Sequence, residues 1–386
     1  MLNQYSLKLP KAVYSGDGAL NLITSILEGE KGKKTAVFTD QGIEKAGLLK
    51  EPLELIKASG KEYILLNEIP PEPTCDEAQK VIDLFKASGA EFIIAIGGGS
   101  VMDIAKLASV SATDRYGVRE LLDNPGLAEK CVNTLMIPTT AGTGAEATPN
   151  SIVAVPEKQL KVGIVNAAMI ADHVILDGNM IKKLPIHIAA STGVDALAHA
   201  IECFTSKKAN LFSDTFALAA LDLIINNIQA SCHNPDDMQA KNAMLTGAFY
   251  GGVAITASGT TAVHALSYPL GGKYHIPHGT ANAMLLAPVM RFNEPACRER
   301  LAQAYDRVAR EHETAASSEE KSRWIINKLE EIVENLGIPS SLKDYGVKPD
   351  DLDELVLAGM GVQRLLVNNM REVSPQDARE IYQGLL

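Results

Sequence analysis

Three of the eight histidines in this 386-residue chain fall within HALSYPLGGKYHIPHGTAN, His264 to Asn282. His264 and His278 bracket Pro269, Gly271, Gly272 and Pro277, residue types that interrupt regular structure, so Pro269 to Gly272 is expected to form the turn that brings the two imidazoles together. Upstream, in VDALAH, Asp195 and His199 are spaced i and i+4 and share one face of any helix built there. One carboxylate and three imidazoles form an oxygen-and-nitrogen donor set suited to Fe²⁺, Zn²⁺ or Mn²⁺, and the sequence leaves the choice among the three open. A divalent ion in such a site can act as a Lewis acid on a substrate oxygen. The competing reading of any single histidine is a satisfied core residue, and the spacing matches no established zinc pattern.

A second group of residues could hold phosphate. The β-rich run Phe92 to Ile96 leads into Gly97-Gly98-Gly99-Ser100 and then a helical pattern from Val101 to Ser109. A strand, a glycine turn and a helix start offer free backbone N–H groups and a positive dipole end to a pyrophosphate. The plainer alternative is a tight turn with Ser100 as N-cap and Asp103 stabilising the first helical turn. A literal G-x-G-x-x-A occurs at Gly142 to Ala147, but the preceding Pro138-Thr139-Thr140-Ala141 is long and polar for a tight phosphate turn, and its hydroxyls suit either capping or cofactor contact. Asp40 ends the run TAVFTD, where a carboxylate can accept from an adenosine ribose and repel a 2′-phosphate, which favours NAD over NADP; an Asx turn is the alternative.

The elements that must position these groups divide the chain in two. Through residue 185, β-rich runs at Thr35–Asp40, Tyr63–Asn67, Phe92–Ile96 and Thr134–Ile137 alternate with helical patterns such as Cys75 to Ser88, and Ile152–Val155 and His173–Leu176 close this half. That alternation predicts an α/β domain with a mainly parallel sheet. From residue 186 to 386 the texture is helical: Ile188–Phe204, Ser213–Ile228, Asp237–Tyr250, Arg298–Glu311, Glu319–Leu336 and Asp350–Ala358. A chain this long exceeds the roughly 250 to 300 residues at which single cores stop growing, so two domains are expected. The net charge of -11 and pI near 5.3 argue against a general role on nucleic acid or an anionic membrane. The N-terminal MLNQYSLKLPKAVYSG lacks the pattern of a signal peptide, and by this reading no apolar stretch approaches the ~18 to 20 residues that span a bilayer. Five scattered cysteines without a C-x-x-C pair fit a reducing, cytoplasmic setting.

Four motifs together carry a resemblance: GGGSVMDIAK (Gly97 to Lys106), PTTAGTGAEAT (Pro138 to Thr148), STGVDALAHAIE (Ser191 to Glu202) and HALSYPLGGKYHIPHGTAN. In this order, over essentially the whole length, the chain resembles the iron-containing (group III) alcohol dehydrogenases. The resemblance implies a dehydroquinate synthase-like architecture, with a dinucleotide-binding α/β N-terminal domain followed by an all-α metal-binding domain, and a homo-oligomer, often a dimer. It places the metal ligands on Asp195, His199, His264 and His278, and the NAD contacts on Asp40, Gly97, Gly98, Gly99, Ser100, Thr139, Thr140, Thr143 and Lys161. It departs from the family at three points: Tyr268 stands where many members have a second histidine of HAxxH, His275 where a carboxylate is common, and Ala145 where a serine is frequent. His275 and Tyr268 are therefore the proton-handling candidates, with His275 ahead because imidazole titrates near neutrality.

The function so implied is hydride transfer between NAD(H) and a small primary alcohol or aldehyde. A lyase of the dehydroquinate synthase type is the alternative, but its polyanionic substrate would call for a basic cluster, and Lys273 is the one lysine near the metal motifs. A non-catalytic nucleotide- or metal-binding protein is the third possibility. Short diols, lactaldehyde, alkanols and aldehydes bearing an acid group all remain candidate substrates, and Lys273 hints faintly at the last.

Overall fold

A computed structural model of the chain describes residues 5–158, 160–310 and 313–386, so the last residue of the expected helix Arg298–Glu311 lies outside the described residues. Two compact units emerge: Lys8–Leu184, and Pro185–Leu386 with residues 5–7 attached, where Tyr5 packs edge-on against Phe212.

The first unit is built on a six-stranded parallel sheet ordered β1-β8-β5-β4-β2-β3, with β1 Ala12–Ser15, β2 Lys34–Phe38, β3 Glu62–Leu66, β4 Phe92–Gly97, β5 Asn133–Pro138 and β8 His173–Leu176. Its helices are α1 Leu22–Gly29, α2 Gln41–Lys45, α3 Lys50–Ala58, α4 Cys75–Ser88, α5 Gly99–Val110 and α6 Val118–Asp123. β4 lies centrally between β2 and β5 and is buried along its whole length, which explains its unbroken apolar run: a parallel strand covered on both faces has no polar side. The run expected at Ile152–Val155 is not in this sheet. It is β6 (Asn150–Val155), an antiparallel hairpin partner of β7 (Leu160–Val165), and its alternating burial fits a strand with one covered face. The edge strand β1, only four residues with alternating burial, gave no clear signal in the sequence.

The second unit is helical: α7 Ile186–Phe204, α8 Leu211–His233, α9 Met238–Ala257, α10 Ala262–Tyr274, α11 His278–Val308, α12 Ser318–Asn335, α13 Leu352–Met360, α14 Gln363–Leu366 and α15 Pro375–Gln383. α8 corrects the reading that no stretch could span a bilayer: by length and composition it could, with a mean hydropathy of 1.3 over its most apolar window. Its Ala217, Ala220, Leu221, Ile224 and Ile228 are buried, and the helix packs against α7 and α9 as a core helix does.

The expected turn at Pro269–Gly272 is also corrected. α10 runs through Pro269 to Tyr274, and the chain reverses only at His275, Ile276 and Pro277. Proline costs a helix one N–H and a steric clash, but buried packing of Ala262 to Ser267 and Leu270 holds this one together. His275 supplies the reversal with a left-handed backbone, φ 54°, and Pro277 then leads into α11 at His278.

Candidate active site

α7 carries Asp195, His199 and Glu202 on one face, all buried, because i, i+4 and i+7 lie one above another along a helix. α10 presents His264 from its first turn and α11 presents His278 at its first residue. The helix starts can approach because Gly279 has no side chain: a Cβ there would sit 2.2 Å from the Ser191 carbonyl oxygen of α7. The outcome is a convergence on Asp195 Oδ1, from which His264 Nε2 and His278 Nε2 lie 3.6 Å and His199 Nε2 3.8 Å away. The His199 and His264 rings stack at 4.7 Å, and the donor atoms of Asp195, His199 and His264 lie within 4.8 Å of one another.

Two further residues that sequence reasoning did not single out complete this centre. Glu202 holds His264 Nδ1 through Oε2, while its Oε1 accepts from Thr261 N (3.0 Å), Thr261 Oγ1 (2.7 Å) and Val263 N (2.8 Å). A carboxylate behind a histidine fixes the ring tautomer, leaving Nε2 with its lone pair toward the other donors. Asn282, one helical turn after His278, donates from Nδ2 to Asp195 Oδ1 at 2.7 Å and lies 3.2 Å from both His264 Nε2 and His278 Nε2. The donors thus share one positively polarised group, which is the arrangement a divalent cation requires, and the hard-oxygen and imidazole set fits such an ion. Both residues had a signal in the sequence: Glu202 is i+7 from Asp195, and Asn282 is i+4 from His278.

Electrostatics follow the same geometry. Burial raises the Asp195 carboxyl, but the charges of His199, His278 and His264 outweigh it and hold the group well below the ordinary carboxylate range. Burial lowers the His264 imidazole, yet Glu202 and Asp195 reverse the sign and push it up to about 10. Glu202, raised by burial, ends below its ordinary value through His264 and Thr261.

The proton-handling candidates separate. The Tyr268 ring lies 6.0 Å from that of His278, and its hydroxyl accepts from Arg364. His275 is exposed on the C-terminal turn of α10.

In the α/β unit, the carboxyl ends of β2, β4 and β5 are tied together: Thr39 Oγ1 donates to Ile96 O at 2.8 Å and Thr139 N to Gly97 O at 3.0 Å. α5 starts at Gly99 with Gly98 as N-cap and no side-chain cap, so its first amides carry no capping oxygen. Ser100 is not the N-cap; its hydroxyl accepts from Glu72 N at 3.1 Å. Nor does Asp103 serve the first turn, since it is buried in an ion pair with Lys106 at 2.8 Å and accepts from Ile152 N. The Thr140–Thr143 loop packs closely on the turn: a Cβ on Gly99 would meet Thr143 Cγ2 at 2.9 Å, while one on Gly98 would be in ordinary contact with Thr140 Oγ1 at 3.6 Å. A pocket of about 570 Å³ opens here, lined by Asp40, Asn67, Glu68, Pro70, Gly98 and Ser100 among others. Asp40 both lines it and caps α2, its Oδ1 accepting from Gly42 N (2.7 Å) and Ile43 N (3.0 Å), so the Asx geometry and the pocket position coexist. Lys161 on β7 pairs with Glu72 at 2.5 Å, and Thr139 is buried with its hydroxyl unpartnered among the described residues. Oxygen acceptors at a strand end and uncapped amides at a helix start form a site suited to a dinucleotide.

A parallel α/β unit with an uncapped glycine turn and a helical unit with a carboxylate–imidazole centre define a metal- and dinucleotide-binding protein. Comparison with known proteins narrows the class. Residues 10–178 match the iron-containing alcohol dehydrogenase model, and residues 189–386 match the C-terminal model of the same family. The chain is 32% identical to a long-chain-alcohol dehydrogenase of Geobacillus thermodenitrificans over 97% of its own length and 95% of that protein's. It is 30% identical to lactaldehyde reductase of Escherichia coli, covering 97% of each. The crystal structure of a 1,3-propanediol oxidoreductase superposes with a TM-score of 0.93 at 27% identity, covering 100% of both chains. The chain belongs to the iron-containing alcohol dehydrogenase family. It is an oxidoreductase acting on alcohols and aldehydes, and the lyase reading is not favoured.

Proposed function

We propose that this enzyme interconverts a small primary alcohol and its aldehyde with NAD(H), using Fe²⁺ held by Asp195, His199, His264 and His278. The observation that carries the reading is the convergence of three imidazole nitrogens within 3.6 to 3.8 Å of one buried carboxylate oxygen. When bound, the ion supplies Lewis-acid polarisation of the substrate oxygen and the nicotinamide supplies or takes the hydride. The chain's own contribution is to orient these groups. Glu202 fixes the His264 ring, and Asp195 supplies the negative charge that balances the cation. We assign Asp40, which lines the pocket with Gly98, Gly99 and Ser100, to accept from an adenosine ribose and disfavour a 2′-phosphate, and Gly97 to Ser100, Thr139, Thr140, Thr143 and Lys161 to hold the rest of the dinucleotide.

Tyr268 is the side chain we assign to proton handling, supported by its ring against His278, while His275 is assigned to shaping the turn. An unchanged pH–rate profile in Tyr268→Phe removes the tyrosine from this role. We further assign the enzyme to the cytoplasm, in keeping with its scattered thiols, and to a homodimer. The test is NADH formation by Fe²⁺-loaded enzyme across a panel of small primary alcohols. Stoichiometric NADH accumulation supports the dehydrogenase, whereas the absence of NADH formation with every alcohol of the panel overturns this reading.

A further inference from the structure

Several arginines of the helical unit are matched by carboxylates. Arg291, Arg298, Arg300 and Arg323 each pair with a carboxylate. Lys273, the sequence's hint toward acidic substrates, is also occupied, by Glu354 at 2.5 Å and Asp351 at 3.7 Å. Among the described residues Arg364 and Arg371 form no ion pair; Arg371 donates from Nη1 to Phe292 O at 2.8 Å, whereas Arg364 meets the tyrosine that neighbours His278. Its guanidinium carbon stands 5.9 Å from the centroid of the Tyr268 ring, and its Nη2 donates to the Tyr268 hydroxyl at 3.4 Å. The same tyrosine ring lies 6.0 Å from the ring of His278. The backbone under Arg364 is anchored, because Leu365 and Leu366 are buried and Asn368 Nδ2 donates to both Arg364 O and Thr260 O.

An unpaired, exposed guanidinium stacked on an aromatic keeps its fork of donors in a restricted orientation, ready for the two oxygens of a carboxylate or a comparable oxoanion. Tyr268 links this guanidinium, which has no carboxylate partner among the described residues, to His278 of the carboxylate–imidazole centre. We propose that Arg364 selects substrates carrying an anionic oxygen group a few carbons from the reacting carbonyl, with Tyr268 as the platform that positions it. The inference rests on the dehydrogenase reading and specifies its substrate class.

The experiment compares 4-oxobutanoate with butanal, which differ only in a carboxylate against a methyl, on Fe²⁺-loaded wild type, Arg364→Gln and Arg364→Lys with NADH. Arg364→Gln is expected to lower the ratio of the two kcat/KM values at least tenfold, chiefly through KM for 4-oxobutanoate, and Arg364→Lys to give an intermediate ratio. Added salt lowers the wild-type ratio but not that of Arg364→Gln, because screening acts on a charge the variant lacks. An unchanged ratio in Arg364→Gln, with butanal still reduced, overturns the inference and leaves the dehydrogenase standing. No reduction of either aldehyde by loaded wild type overturns the dehydrogenase reading and this inference with it.

Discussion

Glu202→Gln is the substitution that probes the centre most finely, because it keeps the shape and removes one charge. Glu202 Oε2 holds His264 Nδ1, and Oε1 accepts two hydrogen bonds from Thr261 and one from Val263. Glutamine has one acceptor oxygen and one donor NH₂, so it cannot serve both sides. If its oxygen faces His264, the NH₂ meets the Thr261 and Val263 amides, donor against donor. If the NH₂ faces His264, Nδ1 must accept, the ring proton moves to Nε2, and that nitrogen loses the lone pair a metal needs. Removing such a supporting partner costs roughly 10- to 100-fold in metal affinity, about 1.4 to 2.8 kcal/mol. The buried amides left unpaired cost a further ~1 to 3 kcal/mol of folding stability. The assay is chelator-competition titration of Fe²⁺ under anaerobic conditions, with thermal unfolding of the same samples. Weakened affinity with turnover restored by excess Fe²⁺ is expected, in contrast to His264→Ala, which excess metal does not rescue. Wild-type affinity in Glu202→Gln refutes the reasoning.

Gly279→Ala places a methyl 2.2 Å from the Ser191 carbonyl, so α11 must move from α7 and take His278 with it; about 1 to 3 kcal/mol of destabilisation and loss of bound metal are expected, and wild-type melting with full metal content contradicts this. Asp40→Ala should shift the kcat/KM ratio from NAD toward NADP and, by uncapping α2, cost about 1 kcal/mol; an unchanged cofactor ratio removes Asp40 from nucleotide choice. Glu146 is pushed up to about 7, first by burial, against weaker opposing effects of its own backbone N–H and Lys106. Between the unfolded value near 4.5 and 7 the native state binds the extra proton, so this group's contribution is fully present below 4.5 and is lost as pH rises through 7, by at most about 3 kcal/mol. Glu146→Gln should therefore melt increasingly above wild type as pH climbs from 4.5 to 7; parallel melting curves across that range exclude the effect.

Much of this was legible in the sequence, for identifiable reasons. The central strand β4 announced itself because a doubly covered parallel strand has no polar face, and α7 because its apolar residues recur at helical spacing. The carboxylate–imidazole grouping was readable because two of its members share a helix face. What was not legible depended on tertiary context. Pro269, Gly271 and Gly272 read locally as a break, yet packing of the first turns of α10 overrides their propensity, and the real reversal is carried by His275, whose left-handed backbone no spacing rule foretells. Ser100 looked like an N-cap because serine commonly is one, but Gly98 caps the helix and Ser100 instead accepts from Glu72, a residue 28 positions earlier. Glu202 passed as one more polar residue of a helix until Thr261 and Val263 closed around it from α10.

The central claim is that Asp195, His199, His264 and His278 form one cation site on which turnover depends. Its most direct measurement is anaerobic titration of chelator-stripped enzyme with Fe²⁺, following bound iron by elemental analysis and NADH consumption with butanal in the same samples. One ion per chain is predicted, with activity rising in proportion to iron bound, and neither iron nor activity in His264→Ala while NADH still binds. Full activity in the stripped enzyme, or a wild-type iron content in His264→Ala, contradicts the account.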